Sequence, residues 1–205
     1  MNSVIVVGAI TALTVLLGSL TGYSLAKLPF KGQKLVLLLI IASIMLPFET
    51  IMIPLYLVVE TLNMQNSYLG MIVPFMLTPL GVFLMRQTFV SFPEDMLDTA
   101  RMDGATEIKI FWYVALPNAL PAMAVLAVLT IQQQWDNLIW PLLIVQERTL
   151  ETLPLYIVTF AEERYTDEGA LIATSALASL PLLAMLFFLG DYFLKGANIM
   201  YGQKG

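Results

Sequence analysis

The chain has 205 residues, 59% hydrophobic and 12% charged, with a formal net charge of −5 and a mean hydropathy of +0.81. Soluble domains carry about 25% charged residues, so this composition, with apolar runs of membrane-spanning length, points to a multi-pass membrane protein. The acidic balance speaks against a nucleic-acid partner, the lack of cysteine excludes disulfides and thiol chemistry, and the lack of histidine removes the commonest general base and metal ligand.

A helix needs about 20 apolar residues to cross the hydrocarbon core of a bilayer. Five stretches reach that length, at about 3–26, 35–58, 68–89, 119–143 and 170–193. The first has no basic segment before it and no clear cleavage site after it, so it does not read as a signal peptide. Pro47, Pro54, Pro74, Pro79 and Pro181 fall inside these spans and are expected to kink them. Gly18, Ser19, Gly22, Ser175, Ala178 and Ser179 are small enough for close helix packing.

The connections set an orientation. Lys27, Lys31 and Lys34 lie in the first, and Arg101 and Lys109 in the segment 90–118, with Arg86 just before it. The connection 59–67 has no basic residue, and 144–169 holds six acids against Arg148 and Arg164. Basic residues favour the inner side, so 27–34, 90–118 and the C-terminus are expected in the cytoplasm, with the N-terminus outside.

The segment 90–118 is the longest piece assigned to the cytoplasm. Ser91-Phe92-Pro93-Glu94 has the S-x-x-E form of a capping box and predicts a helix over about 92–102, with Met96, Leu97 and Ala100 as an apolar strip. Asp103-Gly104 predicts a C-terminal stop with glycine in the left-handed region. A second helix is predicted over about 105–115, with Ala105, Ile108, Phe111, Trp112 and Ala115 on one apolar side and Pro117 and Pro121 limiting it. A helix, a glycine turn and a second helix beneath the membrane form a unit that could dock on a cytoplasmic partner.

These residues resemble the EAA loop of ABC importer permeases, in which Glu-Ala-Ala is followed by three residues, Gly, nine residues, Ile, one residue and Leu-Pro. Here Asp98-Thr99-Ala100 precedes Gly104, Val114 and Leu116-Pro117 at every expected spacing. Asp replaces Glu, Thr replaces Ala and Val replaces Ile. A second stretch, from Gln134-Trp135-Asp136-Asn137 to Trp140-Pro141-Leu142, is similar to the W-N-D/E-F-x-W-P-L stretch of carbohydrate permeases of the maltose transporter type. Met45-Leu46-Pro47, Ile53-Pro54-Leu55-Tyr56 and Lys204-Gly205 add to the likeness, which covers essentially the whole chain. Asn2-Ser3 stand where that family has the external residues before its second span, so the chain is expected to lack one N-terminal span.

The resemblance implies an all-α polytopic membrane protein of about five transmembrane helices, one permease domain over 1–205, with the type I ABC importer permease fold and a cytoplasmic helix-turn-helix coupling loop. It implies a transport subunit, not an enzyme. The phosphate-binding pattern G-x-x-x-x-G-K-S/T is absent, so the chain binds no cofactor or metal of its own, and ATP and Mg are left to a partner. The partners implied are a second homologous permease, two ATP-binding subunits, an extracytoplasmic solute-binding protein and membrane lipid, with a sugar or oligosaccharide as substrate. Asp98, Thr99, Ala100, Arg101, Asp103, Gly104, Val114, Leu116 and Pro117 are the residues expected to couple the permease to the ATPase. The apolar faces around Met96 and Phe111 would bind the partner and the membrane-side helices respectively.

Polar residues within the spans are candidates for the translocation path: Glu49, Gln133, Gln134, Trp135, Asp136 and Asn137. Such residues are costly against lipid and are expected to face the protein interior or a cavity. Each also has a plainer reading. Gln133, Gln134, Asp136 and Asn137 would only bind another helix. Glu49 would be hydrogen-bonded inside the protein, Trp135 and Trp140 would anchor at the outer interface, and Asp98 and Arg101 would form a local surface pair. Rival functions are a same-family permease for another solute such as glycerol phosphate, a secondary transporter, or a membrane-embedded enzyme. The last two would need an ionisable relay or a paired catalytic group within the spans, and few such residues are present.

Overall fold

A computed structural model describes residues 1–163, 169 and 172–184, and these are helical with no strand among them. The first helix, α1 (Asn2–Lys27), is an unbroken 26 residues and is the one described helix long and apolar enough to cross a membrane by itself. The other expected spans are broken. The stretch 35–58 is two helices, α2 (Gln33–Ile44) and α3 (Phe48–Thr61), with a break between them. Pro47 lies at the break, extended at φ −60° and ψ 140°; its ring disfavours helix in the residue before it and its own fixed φ suits the start of a new helix. Pro54 remains within α3.

In the third span, α4 (Tyr68–Ile72) runs into a tighter turn at Val73–Phe75, and α5 (Pro79–Val90) comes next after a break. Thr78 caps α5, its hydroxyl accepting the Gly81 N–H at 3.2 Å, with Pro79 at the first helical position. Three pieces come after α5: α6 (Glu94–Met102), α7 (Glu107–Ile110) and, after a π-helical turn at Phe111–Ala115, α8 (Leu116–Asn118). The fourth span starts where expected, as α9 (Leu120–Trp135), but stops at Trp135, and α10 (Ile139–Ile144) is separate. The interruption has a local cause: the Asn137 side chain donates to Gln134 Oε1 at 3.1 Å and accepts the Trp140 N–H at 3.3 Å, an alternative to continuing the helix. The helix α11 (Leu153–Glu163) lies beyond it. Of the fifth span, a helix over Ile172–Ala184 is described, with Pro181 inside it; 170–171 and 185–193 lie outside the described residues.

The contacts divide the chain into two compact units. One contains 1–11, 47–76 and the described part of 128–190. Its core is Val6, Ile10, Val59, Met71, Trp140 and Ile144, and Trp140 meets Phe48 and Phe75 edge-on with ring centroids 6.1 and 5.9 Å away. Polar clips hold the connection before α11. Asn2 donates to the carbonyls of Thr149 and Glu151 at 2.8 and 2.9 Å, and Ser3 Oγ accepts the Leu153 N–H at 2.6 Å. Asn66, in the left-handed region at φ 49°, accepts the N–H groups of Gln146 and Glu147, both at 3.0 Å. Asn66→Ala removes both bonds and places a Cβ without asparagine's local hydrogen bonding in that backbone region, a loss of about 1–3 kcal/mol. Limited proteolysis in detergent is expected to cut the 145–152 connection sooner in the variant than in the parent.

The other unit contains 12–46 and 77–127 among the described residues. Its core joins Tyr23, Met85, Phe89, Leu97, Ile110, Phe111, Ala115, Ala119 and Leu126. Here α1 and α5 pack backbone against backbone at Gly22, where an added Cβ would lie 2.7 Å from the Arg86 nitrogen and 2.8 Å from Met85 Cβ. Gly18 and Ser19 are buried on the same side of α1, with Ser19 Oγ donating to the Val15 carbonyl at 2.6 Å. This is the close packing expected of the small residues near the end of α1. By contrast Leu35, Leu38, Leu39 and Met45, on and just after α2, are 59–80% exposed, a surface suited to lipid or another membrane subunit.

Candidate coupling site

The expected helix, turn and helix are present over 94–118, and the turn has a defined geometry. Helix α6 ends with the Ala105 N–H donating to the Ala100 carbonyl and the Gly104 N–H donating to the Arg101 carbonyl, both at 3.0 Å. That double closure is a Schellman motif, and Gly104 has φ +81° as the motif requires. Ala100 and Ala105, which the closure brings together, both pack against the core. Nothing lies within 4 Å of a Cβ added at Gly104, so backbone conformation and not space selects glycine here.

The start of α6 differs from expectation. Ser91 does not cap it; its hydroxyl donates to the Thr88 carbonyl at 2.7 Å, at the end of α5. Pro93 precedes the helix without a side-chain cap. The Glu94 carboxylate is taken by Lys27, whose ammonium lies 2.6 Å from Glu94 Oε1 and donates to the Phe92 carbonyl at 3.0 Å. The Lys27 side chain is 2% exposed, and a cation so buried must be paired.

The strip Met96, Leu97 and Ala100 is apolar as predicted, but it faces the chain's own core: Leu97 is fully buried, and Met96 and Ala100 pack against the same cluster. It is therefore not a free partner-binding face. The second helix also presents a different side. Ile110, Phe111 and Ala115 are buried, whereas Ile108 and Trp112 are 73% and 45% exposed. Ile108 and Trp112 are four residues apart and share the outer side, so the buried side runs through Ile110, Phe111 and Ala115 instead. A π turn then begins at Phe111. The Leu116 N–H reaches the Phe111 carbonyl, five residues back, which rotates the residues beyond it away from simple helical spacing. Pro117 does not end the segment but lies inside its last turn, and the Asn118 side chain donates to the Val114 carbonyl at 2.7 Å. Of the expected coupling residues, Asp98, Thr99, Asp103, Gly104 and Pro117 are exposed; Ala100, Arg101, Val114 and Leu116 are half-buried.

An ionic chain crosses the turn. Arg101 Nη1 bonds Asp98 Oδ1 at 2.7 Å, and Arg101 Nε bonds Glu107 Oε1 at 2.8 Å. The other Glu107 oxygen accepts the Tyr23 hydroxyl of α1 at 2.9 Å. Asp98 and Arg101 thus do form the local pair, and that pair is one link of a longer series. The Arg101 hydrogen bond holds the Glu107 carboxyl below the usual carboxylate range, helped by Tyr23 and opposed by partial desolvation. A carboxylate lowered in this way contributes stability above its ordinary value and loses it only as pH falls through the lowered one, so the link is intact near neutrality. Tyr23, Lys27, Glu94 and Glu107 were not among the expected site residues. Helical spacing within one segment does not pair residues that a turn or a long loop brings together.

The family model of the binding-protein-dependent transport system inner membrane component matches residues 14–198. The chain belongs to this family. Among relatives of this permease, AraQ of Bacillus subtilis (strain 168), an arabinooligosaccharide transport system permease, is 34% identical over 204 residues, covering 100% of this chain and 72% of its own. The lactose transport system permease LacG of Rhizobium radiobacter is 30% identical over 195 residues, covering 95% and 71%. UgpE of Yersinia enterocolitica, an sn-glycerol-3-phosphate transport system permease, is 30% identical over 197 residues, covering 95% and 70%. A solved bacterial ABC transporter involved in the import of the acidic polysaccharide alginate superposes with a TM-score of 0.84 over 94% of this chain and 73% of its own, at 22% identity. The fold is therefore that of an ABC importer permease, an all-α membrane protein, and the permease is by family an inner-membrane transport component.

Of the candidate path residues of this permease, Gln134, Trp135 and Asn137 line one small cavity with Ser3, Trp140 and Thr152, and Gln133, Asp136 and Glu49 are not part of its lining. On α9 and just after it, Gln133 and Asp136 are exposed, Gln134 and Trp135 are buried, and Asn137 is half-buried. Trp135 Nε1 donates to the Ala178 carbonyl at 3.1 Å. Trp140 is 1% exposed, with its Nε1 donating to the Gly70 carbonyl at 3.0 Å, so it is a core residue and not an interfacial anchor. Glu49 is exposed in the first turn of α3 and takes no side-chain hydrogen bond among the described residues; a carboxylate there complements the helix N-terminus.

Proposed function

We propose that the chain is one of two homologous permease subunits of an ATP-driven importer, forming half of the translocation path for a sugar or oligosaccharide. Of two separate ATP-binding subunits, which carry ATP and Mg, one docks at the coupling loop of this chain, and an extracytoplasmic solute-binding protein delivers substrate. In this reading 27–34, 90–118 and the C-terminus face the cytoplasm and the N-terminus faces outward, in line with the positions of Lys27, Lys31, Lys34, Arg101 and Lys109. The observation that carries the reading is the Schellman turn at Gly104, joining α6 to α7 in register with Asp98-Thr99-Ala100 and Leu116-Pro117. Asp98 keeps an exposed carboxylate for a basic group of the partner, and the small Thr99 and Ala100 allow close approach. Gln133, Asp136 and Glu49, which are exposed, and Gln134, Trp135 and Asn137, which line a small cavity, remain candidates for the path. The names of the arabinooligosaccharide and lactose permeases support a carbohydrate substrate. The similarity to UgpE supports glycerol phosphate as the second reading.

The test is capture of the ATP-binding subunit on a tagged permease co-expressed with its second permease. The parent is expected to retain it. Asp98→Lys and Gly104→Pro are each expected to lose about tenfold or more, equivalent to about 1.4 kcal/mol of docking free energy. Proline cannot reach a φ of +81° and would remove the Gly104 N–H bond to Arg101. Equal capture by all three would remove 94–118 as the dock. Uptake of a sugar panel against glycerol phosphate separates the two substrate readings.

A further inference from the structure

The two ends of α6 are both fastened to the last turns of α1, and by different chemistry. At its start, Glu94 holds the Lys27 ammonium at 2.6 Å. At its end, Arg101 reaches Glu107 at 2.8 Å, and Glu107 reaches the Tyr23 hydroxyl at 2.9 Å. Tyr23 and Lys27 are one helical turn apart on α1, and Glu94 and Arg101 are two turns apart on α6. Two fastenings at separate points resist rotation as well as separation, which one contact alone does not.

The surroundings make the fastenings stiff. Tyr23 is 3% exposed, its ring edge-on to Phe89 with centroids 5.4 Å apart and tilted against Phe111 at the same separation. Its hydroxyl therefore has a fixed position from which to meet Glu107. Arg101 is anchored from two sides, by Asp98 and by Glu107, so the guanidinium is held in place and not free to follow solvent. The Lys27 ammonium also bonds the Phe92 carbonyl at 3.0 Å, in the connection just before α6.

We propose that Glu107 and Tyr23 are positioning residues of the transport cycle: with the Lys27–Glu94 pair they form a strut that makes α1 follow α6 when the ATP-binding subunits move it. The inference rests on the docking reading of 94–118 and adds the route by which motion at the dock reaches a membrane-spanning helix. Glu107 touches neither substrate nor nucleotide; it acts by joining Arg101 to Tyr23. Coupling through such an element requires it to pass a displacement between two contacts, and the bonds on both sides of Glu107 meet that requirement.

Tyr23→Phe cuts the strut at one oxygen while keeping the ring packing and leaving Asp98, Arg101 and Glu107 bonded to one another. The permease pair, both ATP-binding subunits and the binding protein are reconstituted in proteoliposomes, and three quantities are read: retention of the ATP-binding subunits, ATP hydrolysis, and substrate taken up per ATP. With Tyr23→Phe, retention and hydrolysis are expected within about twofold of the parent, while uptake per ATP falls about tenfold, in the usual range of coupling between sites. Glu107→Gln is expected to act in the same direction, and adding Lys27→Gln to Tyr23→Phe to deepen the loss. Ser24→Ala, whose hydroxyl donates only within α1 to the Leu20 carbonyl, is expected to leave all three quantities unchanged. Unchanged uptake per ATP in Tyr23→Phe with the complex intact would overturn the strut and leave the dock standing. Loss of the ATP-binding subunits together with transport would make the contact one of folding and overturn it equally. Failure of the parent to retain those subunits would instead strike the docking reading beneath it.

Discussion

Gly22→Leu is expected to prevent the permease from holding a stable fold in detergent, and Gly22→Ala to go part of the way. The reason is the close approach of α1 and α5. A single Cβ at Gly22 would meet the Arg86 nitrogen at 2.7 Å, Met85 Cβ at 2.8 Å and the Met85 carbonyl carbon at 2.9 Å. Two of those three atoms are backbone, which cannot turn aside as a side-chain tip can. Overfilling a packed core costs about 1–3 kcal/mol even when side chains absorb the strain, and leucine requires the helices to part. Between helices in a bilayer, small residues and the packing they permit drive association, since lipid is as apolar as leucine. Gly8, also in α1, has nothing within 4 Å of an added Cβ. Gly8→Ala is the matched control and is expected to be neutral or slightly stabilising through helix propensity. Thermal aggregation of the purified protein, tracked by size exclusion, reads the difference. Equal midpoints for Gly8→Ala and Gly22→Ala would refute the close-approach account.

Trp140→Ala is expected to unfold the other unit's core, with a cost of about 3–5 kcal/mol for the lost ring. The indole packs against both Phe48 and Phe75, which also meet each other at 5.6 Å, and is itself 1% exposed, so little solvent reaches the hole left behind. The substitution also strands the Gly70 carbonyl that accepts its N–H, a further penalty of about 1–3 kcal/mol if water does not enter. Trp140→Phe separates the two effects, because it keeps much of the packing and removes only the donor. The expected order of thermal midpoints is parent, then Phe, then Ala. An alanine variant with the parent's midpoint would remove Trp140 from the core and restore the interfacial reading.

What could be read before the structure depended on the range of the interaction. Gly104 was legible because a left-handed glycine at a helix end is a local event, governed by Asp103, Gly104 and the carbonyls just before them. Gly18, Ser19 and Gly22 were legible for the same reason: small size at helical spacing is a property of one stretch of chain. The S-x-x-E pattern at Ser91 misled because it weighs only local partners, and Lys27, far away along the chain, takes the Glu94 carboxylate instead. Trp140 misled because tryptophan suits both an interface and a core, and only its neighbours Phe48 and Phe75 decide between them. The break before Phe48 was visible as Pro47, but a proline foretells a disturbance and not whether the helix kinks or stops. The fold as a family trait was legible from Asp98 to Pro117 and from Gln134 to Leu142. The strut was not, since Tyr23 and Glu107 are joined by two helices folding back on each other.

The π turn at Phe111–Ala115 changes what the interval between Gly104 and Leu116-Pro117 measures. With the Leu116 N–H reaching back five residues, that interval holds one residue more than an α-helix of the same register would need. Counted along the chain it is a fixed number; traced in space it is a winding with slack taken up on one side. Ile110 and Ala115 keep their places in the core on either side of it, so the surplus emerges outward, as Tyr113, 80% exposed, and the edge of Trp112. A helix that simply continued would lay those rings along its own flank. The widened turn instead presents two successive aromatic side chains at the surface, placed there by the backbone winding that Leu116 and Phe111 close.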